Sequence, residues 1–423
     1  MPHWLFIPFI FALGACVGSF LNVVAYRLPL GKSIVHPPSA CPKCNTQLSW
    51  RDNIPIFGWL FLGGKCRYCR APVSIRYPTI ELITALLFAG TYVLMFVFNV
   101  GPCPDGRIFA SINDLGIETH SAAALDLYFD WPALVLALAM IGFLMAASLI
   151  DFDHFIIPLE ITWILVGVGL VGHALTDQPH VAGNLLLTQV QAPLGMAAIT
   201  CTIGWLIALL ALKRGWLKRS FMQGEPMLDR EIAARDGDTS VATPASTVPV
   251  HEYSKREVRR EMLLEAAFLA LPILFALVTI VVCFNVHQVD LASVMLATEP
   301  YLRGFVGSLL GAVVGALTVW LTRVFGSLAF GKEAMGMGDV HLMAGIGAIL
   351  GPGPVVVTFF LAAIVGLVST VRMFFTSKFR TIPYGPFLAA GAVLAVFLYC
   401  PIAKLYRPGF DALGTLIRDM LTF

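Results

Sequence analysis

The chain has 423 residues, of which 58% are hydrophobic and only 13% are charged. Soluble globular proteins carry about 25% charged residues, so this composition excludes an ordinary soluble protein and favours a polytopic membrane protein. The formal net charge of +2 is too small to indicate a nucleic-acid partner.

Long apolar runs recur along the chain, most of them long enough to cross a bilayer as helices. The runs fall at about 4–25, 78–100, 131–150, 156–175, 191–212, 262–285, 302–322, 340–373 and 384–402. The run 340–373 is interrupted by Gly351-Pro352-Gly353-Pro354, which predicts a short span followed by a full one. The sequence therefore predicts an all-α polytopic integral membrane protein with about 8–10 transmembrane helices.

The basic residues are unevenly distributed between the apolar runs. They cluster in the segments 27–76 and 213–260 and in a third group on either side of the run 340–373, whereas 101–130, 176–190 and 286–300 contain only Arg107. The third group is Arg323, Lys332, Arg372, Lys378 and Arg380. Because basic residues concentrate on the cytoplasmic side, this asymmetry places the three basic groups in the cytoplasm and the N-terminus outside. Residues 213–261 are polar and predict a solvated cytoplasmic loop.

Two aspartates stand where an apolar run meets a polar turn. Asp339 ends Gly336-Met337-Gly338-Asp339 and precedes the run from Val340, and Asp151 directly follows the run 131–150. A carboxylate in a membrane segment is expensive and indicates a function. The predicted topology puts both at the cytoplasmic ends of their helices. Two close carboxylates can share one proton and act as base and acid, so we predict a catalytic pair of Asp151 and Asp339.

Other titratable residues near these positions are weaker candidates. Asp153 would face away from Asp151 on a helix. His154 and His341 are favoured as polar interface residues over groups that tune the pair. Glu81, early in the second run, is favoured as a structural ion pair with Arg27 or Arg76 over a group that binds the substrate's new amine.

Four cysteines form two C-x-x-C pairs in one polar segment, Cys41 with Cys44 and Cys66 with Cys69. Paired knuckles of this kind predict a tetrahedral zinc site, and four thiolates would close it, so the metal should be structural. Two redox pairs are the alternative. The loop between the knuckles is apolar and is expected to rest on the membrane surface or on other spans.

Several motifs together resemble the type IV prepilin peptidases, which are the leader peptidases of type IV pili and type II secretion. The resemblance covers most of the chain outside 101–130, 176–200, 213–261 and the C-terminal tail. The motifs are Gly18-Ser19-Phe20-Leu21-Asn22-Val23-Val24 running to Arg27-Leu28-Pro29, the four cysteines with Asp52-Asn53-Ile54-Pro55, Arg76-Tyr77-Pro78 with Glu81, Asp151 with Ile157-Pro158, Gly336-Met337-Gly338-Asp339, and Tyr384-Gly385-Pro386-Phe387.

The resemblance implies a bifunctional enzyme in the bacterial inner membrane. Such enzymes cut type IV prepilins or pseudopilins after a leader glycine at the cytoplasmic face, and Asp151 and Asp339 match the family's catalytic aspartates. They then methylate the new N-terminus with S-adenosyl-L-methionine. His341 stands where the family usually has lysine, and Leu159, followed by Glu160, stands where it usually has aspartate.

The domain organisation follows from the same motifs. Residues 1–100, with the zinc hairpin 27–77, are expected to form the methyltransferase part, and 101–130 an extracytoplasmic loop. Residues 131–402 are expected to form the peptidase domain, followed by a tail at 403–423. No glycine-rich nucleotide loop indicates where S-adenosyl-L-methionine binds.

Two other classes of function remain open from the residues. An ion-coupled transporter would use paired intramembrane aspartates, but it predicts internal repeats and sites near the midplane. A zinc-containing membrane scaffold without chemistry would not need both aspartates.

Overall fold

The computed structural model describes residues 3–100, 127–176, 192–217, 254–285, 300–375 and 383–421. Most of the predicted loops 101–130 and 213–261 lies outside these residues. The helices are α1 (Phe6–Arg27), α2 (Phe57–Phe61), α3 (Arg76–Tyr92), α4 (Leu127–His154), α5 (Leu159–Leu175), α6 (Ala192–Lys213), α7 (Lys255–Asn285), α8 (Pro300–Phe330), α9 (Met337–Leu350), α10 (Pro352–Phe375) and α11 (Gly385–Leu421).

The helices confirm the predicted fold class. Within the described segments, eight helices are long and apolar enough to cross a membrane, and α5 and α9 are apolar but shorter. The predicted interruption is real: α9 ends at Leu350, Gly351 turns with φ of 85°, and α10 begins at Pro352. The last helix continues to Leu421, so the tail from 403 extends the final span.

Helix α9, which carries Asp339, packs closely on α8. A methyl group at Gly311 of α8 would lie 2.0 Å from the carbonyl oxygen of Gly347 in α9, so the two backbones touch. The Ser308 hydroxyl also donates a hydrogen bond to the Ala348 carbonyl, at 2.6 Å. Lipid tails are as apolar as aliphatic side chains, so burial of apolar side chains does not by itself drive helices together in a membrane. Small residues instead let the two backbones approach closely enough to pack. The contact fixes the position of α9 against α8.

Helix ends that the topology assigns to the cytoplasm meet at one end of the structure. Arg76, at the start of α3, pairs with Asp153 near the end of α4, with Nη1 2.9 Å from Oδ1. The backbone N–H of Gly385, at the start of α11, donates to Asp151 in the last turn of α4. The start of α9 lies at the same end, because Gly338 of α9 and Gly385 of α11 both face the side chain of Ile157. This arrangement follows if successive helices cross the membrane in alternating directions, with α9 and α10 counted as two crossings.

Candidate active site and zinc centre

The structure brings Asp151 and Asp339 together. Asp151 lies in the last turn of α4 and is 6% exposed, and Asp339 lies in the first turn of α9 and is 8% exposed. Their carboxyl groups are close enough to interact electrostatically. Two buried carboxylates that repel each other in this way cannot both ionise cheaply, which is the condition under which a pair holds one proton.

The start of α11 completes the surroundings of the pair. The Gly385 N–H donates to Asp151 Oδ2 at 3.0 Å, and the neighbouring Tyr384 interacts electrostatically with Asp339. The side chain of Ile157 fills the space between Gly338 and Gly385, since methyl groups added at these two glycines would lie 3.0 and 3.2 Å from it. The sequence alone indicates no role for residues 384–387.

A buried ionic network lies behind the loop that leads to Asp339. Arg323 of α8 and Glu265 of α7 are each 3% exposed, with Nη2 and Oε1 3.0 Å apart. The Arg323 guanidinium also reaches Glu333, at 2.5 Å, and the carbonyl oxygen of Met335. Glu333 and Met335 belong to the loop between α8 and α9. Arg323 therefore ties that loop to two transmembrane helices, and its charge acts on Asp339.

The sequence showed Arg323 and Glu265 only as charges at the edges of apolar runs. Two opposite charges inside neighbouring spans are a signal of buried pairing, because neither is tolerated alone. Trp320 adds to the pair by donating from Nε1 to Glu265 Oε2 at 3.1 Å.

The weaker candidates lie away from the carboxylate pair. Asp153 is exposed and pairs with Arg76, and His154 is exposed. His341 hydrogen-bonds the Met337 carbonyl through Nδ1 at 2.8 Å and packs on Trp163. It lines a cavity of about 470 Å³, together with Met337, Val340 and Ala344. Helical spacing puts those four residues on the face of α9 opposite Asp339.

The contacts of Glu81 differ from those that the sequence predicts. The favoured ion pair with Arg27 or Arg76 is wrong, because Arg76 pairs with Asp153 and Arg27 donates to the carbonyl oxygen of Ser33. The Glu81 carboxylate accepts a hydrogen bond from the N–H of Ile56, at 2.6 Å, and another from the Ser19 side chain. Ile56 precedes α2 and has φ of 63°. Glu81 therefore holds the polar hairpin against α1 and α3, a contact that neither local pattern nor charge spacing indicates.

The two cysteine knuckles of that hairpin are nearly identical. In each knuckle the first cysteine's N–H bonds a carbonyl five residues on, that of Thr46 for Cys41 and of Ala71 for Cys66. The residue four positions after the first cysteine has positive φ in both, 54° at Asn45 and 58° at Arg70. Repeated turns of this kind point both thiols of a knuckle to the same side.

The four thiols converge on one point. The Sγ atoms of Cys41, Cys44, Cys66 and Cys69 all lie within 4.8 Å of one another, and those of Cys41 and Cys69 are 3.8 Å apart. Tetrahedral zinc with Zn–S bonds of about 2.3 Å separates its sulfurs by roughly 3.8 Å. The cluster is therefore compatible with a closed Cys₄ zinc site, whose four protein ligands leave no position for a substrate.

The electrostatics of the hairpin favour thiolates at Cys44 and Cys66, but not at Cys69. The Ala71 N–H lowers the pKa of Cys69, but burial and the hydrogen bonds with Cys44, Cys66 and Cys41 outweigh it and raise the pKa to about 11. Hydrogen bonds from Thr46 lower the pKa of Cys44 to about 6. Backbone N–H groups of Cys69 and Tyr68 lower the pKa of Cys66. Asp52 braces the loop: burial raises the pKa of its carboxyl, but hydrogen bonds from Arg67 and Ser49 outweigh burial and hold it below its usual value. Thiolates are the form that binds zinc.

We expect the purified protein to hold one zinc ion per chain. Four convergent thiolates give a site that binds this metal in preference to hard cations. Metal analysis of the protein, with the paired variant Cys41→Ser/Cys66→Ser as test and Cys201→Ser as control, measures this. Cys201 is buried in α6, away from the tetrad, so its replacement should leave the zinc content unchanged. Full zinc content in the paired variant would overturn the assignment.

The fold and the site define a class: an all-helical, multi-pass membrane protein with two buried carboxylates meeting at one end and a Cys₄ cluster in the hairpin between α1 and α3. Residues 12–95 match the sequence model described as Bacterial Peptidase A24 N-terminal domain. Residues 264–371 match that of the Type IV leader peptidase family. These two segments of the chain are similar to the type IV leader peptidase family. The cysteines lie in the first matched segment and Asp339 in the second, whereas Asp151 lies outside both.

Curated relatives carry the corresponding name. A Myxococcus xanthus protein named "Prepilin leader peptidase/N-methyltransferase" is 40% identical over 169 residues, which are 39% of this chain and 40% of the relative. A Klebsiella pneumoniae protein of the same name is 47% identical over 93 residues, 21% of this chain and 41% of the relative.

A third relative of that name, from Aeromonas hydrophila, is 31% identical over 192 residues, 40% of this chain and 55% of the relative. The chain thus spans about two fifths to a little over half the length of these curated relatives. No solved structure matches the chain.

Proposed function

We propose that this protein is a membrane aspartyl endopeptidase that removes the leader peptide of type IV prepilins or pseudopilins. The cut falls after a glycine, at the cytoplasmic face of the bacterial inner membrane. The observation that carries the proposal is the meeting of Asp151 and Asp339, two buried carboxylates supplied by separate helices. The relatives' name and the matches to the family's sequence models support the same activity.

The geometry supports a mechanism in which the two carboxylates act as one unit. One carboxylate takes a proton from water, and the water oxygen attacks the carbonyl carbon of the scissile peptide bond. The protonated partner then gives its proton to the leaving nitrogen as the C–N bond breaks. The Gly385 N–H fixes one oxygen of Asp151, and Arg323 holds the loop before Asp339, so both groups are oriented before substrate arrives.

Methylation of the new N-terminus is the second proposed activity, with S-adenosyl-L-methionine as co-substrate. The free amine forms a bond to the methyl carbon, the C–S bond of the sulfonium breaks, and the amine releases a proton. The proposal rests on the name of the relatives and on the match of residues 12–95. We assign this activity to residues 1–100, with zinc as a structural ion, and the peptidase to 131–402.

The position of the carboxylate pair favours the peptidase over an ion-coupled transporter. Transporter sites lie near the midplane of the membrane. Asp151 occupies the last turn of α4 and Asp339 the first turn of α9, so the pair lies at the helix ends. Water and a substrate peptide can both reach a site at the ends of the membrane-spanning helices.

The proposed function is tested with the full chain in lipid nanodiscs. The substrate is a synthetic prepilin peptide with a polar leader that ends in glycine, followed by phenylalanine and an apolar segment. Mass spectrometry should show the cut after glycine and, with S-adenosyl-L-methionine present, a further gain of one methyl group. A folded, zinc-loaded protein that leaves several such peptides intact would overturn the proposal.

Gly385→Ala should strongly reduce cleavage without unfolding the protein. The added methyl group would lie 2.5 Å from Asp151 Oδ2, so the carboxylate must move away from its position and from the Gly385 N–H. Alanine has a higher helix propensity than glycine, so α11 itself should not be weakened. The control is Gly366→Ala, where the nearest atom lies 3.5 Å away, an ordinary contact. Equal cleavage rates for the two variants would contradict this role of Gly385.

The proposed orientation is tested by labelling of intact cells. A cysteine at Ser240 should be protected from a membrane-impermeant thiol reagent, and a cysteine at Ser121 should react, because basic loops remain in the cytoplasm. The labelling of each variant is compared with that of the unchanged chain, so that the signal from the native cysteines is subtracted. Labelling of the cysteine at 240 would place the basic loops outside and invert the proposed topology.

A further inference from the structure

The hairpin between α1 and α3 folds back, so that part of it lies alongside those two helices rather than beyond their ends. The Ile56 N–H bonds the Glu81 carboxylate at 2.6 Å, and Glu81 lies five residues inside α3 from Arg76. At 1.5 Å per residue, that position is about 7.5 Å along the helix axis. Ser19, which also bonds Glu81, lies eight residues before the end of α1, about 12 Å along its axis. Ile56 thus lies beside the membrane-spanning segments.

Helix α2 follows Ile56 directly and presents an uncovered apolar face. Phe57, Leu60 and Phe61 are 53, 55 and 83% exposed, and spacings of three and four residues put them on one side of the helix. The rings of Phe57 and Phe61 stack with centroids 6.1 Å apart. Trp50, 74% exposed, precedes them in the same loop. We call these four residues the α2 apolar face.

The charge around this face is strongly one-sided. The segment 27–76 contains eight basic residues and one acidic residue, Asp52. Asp52 is already paired with Arg67, at 2.6 Å between Oδ1 and Nε. The Arg51 guanidinium lies over the Trp50 ring, 5.3 Å from its centroid. Aromatic residues beside arginine and lysine are typical of the boundary between acyl chains and headgroups, and basic residues there attract anionic lipids.

We infer that the α2 apolar face inserts into an anionic lipid leaflet, with the basic residues of the hairpin on the headgroups. The depth of Ile56 places the face at the bilayer boundary, and the excess of basic charge selects anionic lipid over a neutral surface. An exposed apolar patch on a polar segment marks a binding surface. Here the patch directly follows Ile56, which lies beside the membrane-spanning segments, so the bilayer is the surface nearest to it. Lipid contact holds the Cys₄ cluster against the membrane, and it does so whether or not the proposed peptidase activity is correct.

The test places a photoreactive benzoylphenylalanine at Phe61 of the full chain in nanodiscs of mixed phosphatidylcholine and phosphatidylglycerol. The comparison is the same group at Tyr68, an exposed aromatic residue of the second knuckle. We expect lipid adducts at position 61 in several-fold excess over position 68. Equal adducts at both positions, adducts to a second copy of the chain, or none at 61 would each overturn the inference.

A second measurement tests the charge component. Hydrogen exchange of residues 50–61 should slow when phosphatidylglycerol is added to phosphatidylcholine nanodiscs, because anionic headgroups attract the basic rim. Phe57→Ser/Leu60→Ser/Phe61→Ser should remove this protection while zinc content stays at one ion per chain. Protection that is the same in both lipid compositions would refute the selection of anionic lipid. Protection that survives the triple substitution would refute insertion by α2.

Discussion

Replacement of Asp151 or of Asp339 with asparagine is expected to lower the rate of leader cleavage by at least about 10³-fold. An amide has the size of a carboxylate, but it cannot take a proton from water or give one to the leaving nitrogen. The loss should be comparable for either single variant, because residues that act as one unit are not additive. Both variants should insert and fold, since removal of a buried charge relieves a desolvation cost.

Two controls accompany the aspartate variants. Asp153→Asn should retain cleavage, because Asp153 is exposed and pairs with Arg76 rather than with Asp339. Methyl transfer to a peptide that is already cut should survive in all three variants if that chemistry belongs to residues 1–100. Cleavage and methyl transfer are measured separately by mass spectrometry. Near-normal cleavage by Asp339→Asn would show that Asp339 is not catalytic.

Arg323→Met should lower both stability and cleavage. The substitution leaves the Glu265 carboxylate, 3% exposed, without its main partner, and breaking a buried pair in this way costs about 3–5 kcal/mol. It also frees Glu333 and the Met335 carbonyl, so the loop before Asp339 loses its anchor. Thermal unfolding in detergent and the rate of leader cleavage measure the two effects.

The double variant Arg323→Met/Glu265→Leu separates these two effects. With both buried charges removed, most of the lost stability should return, because apolar residues often replace a buried ion pair without cost. The loop contacts remain lost, so cleavage should stay low in a stable protein. Glu333→Gln keeps an acceptor for Arg323 and should change cleavage little. A stable double variant that cleaves normally would show that Arg323 does not position Asp339.

The sequence by itself determined the scaffold and the candidate catalytic and metal-binding residues. Apolar runs of span length predicted the helices, and the Gly-Pro repeat at 351–354 predicted the break between α9 and α10, because both signals are local. The pairs of cysteines predicted a four-thiol cluster, since C-x-x-C spacing sets the turn of each knuckle. Asp151 and Asp339 stood out because carboxylates are rare in apolar segments.

Only the tertiary structure decided what surrounds those groups. The Gly385 N–H and Asp151 are 234 residues apart in the chain, and Arg323 and Glu265 are 58 apart. The sequence misassigned Glu81 to an arginine, because its acceptor role depends on the N–H of Ile56 in a strained turn. Membrane helices are apolar on every side, so their sequence pattern carries little information about which faces meet. Close backbone contacts such as Gly311 on Gly347 decide that, and they exist only in the folded bundle.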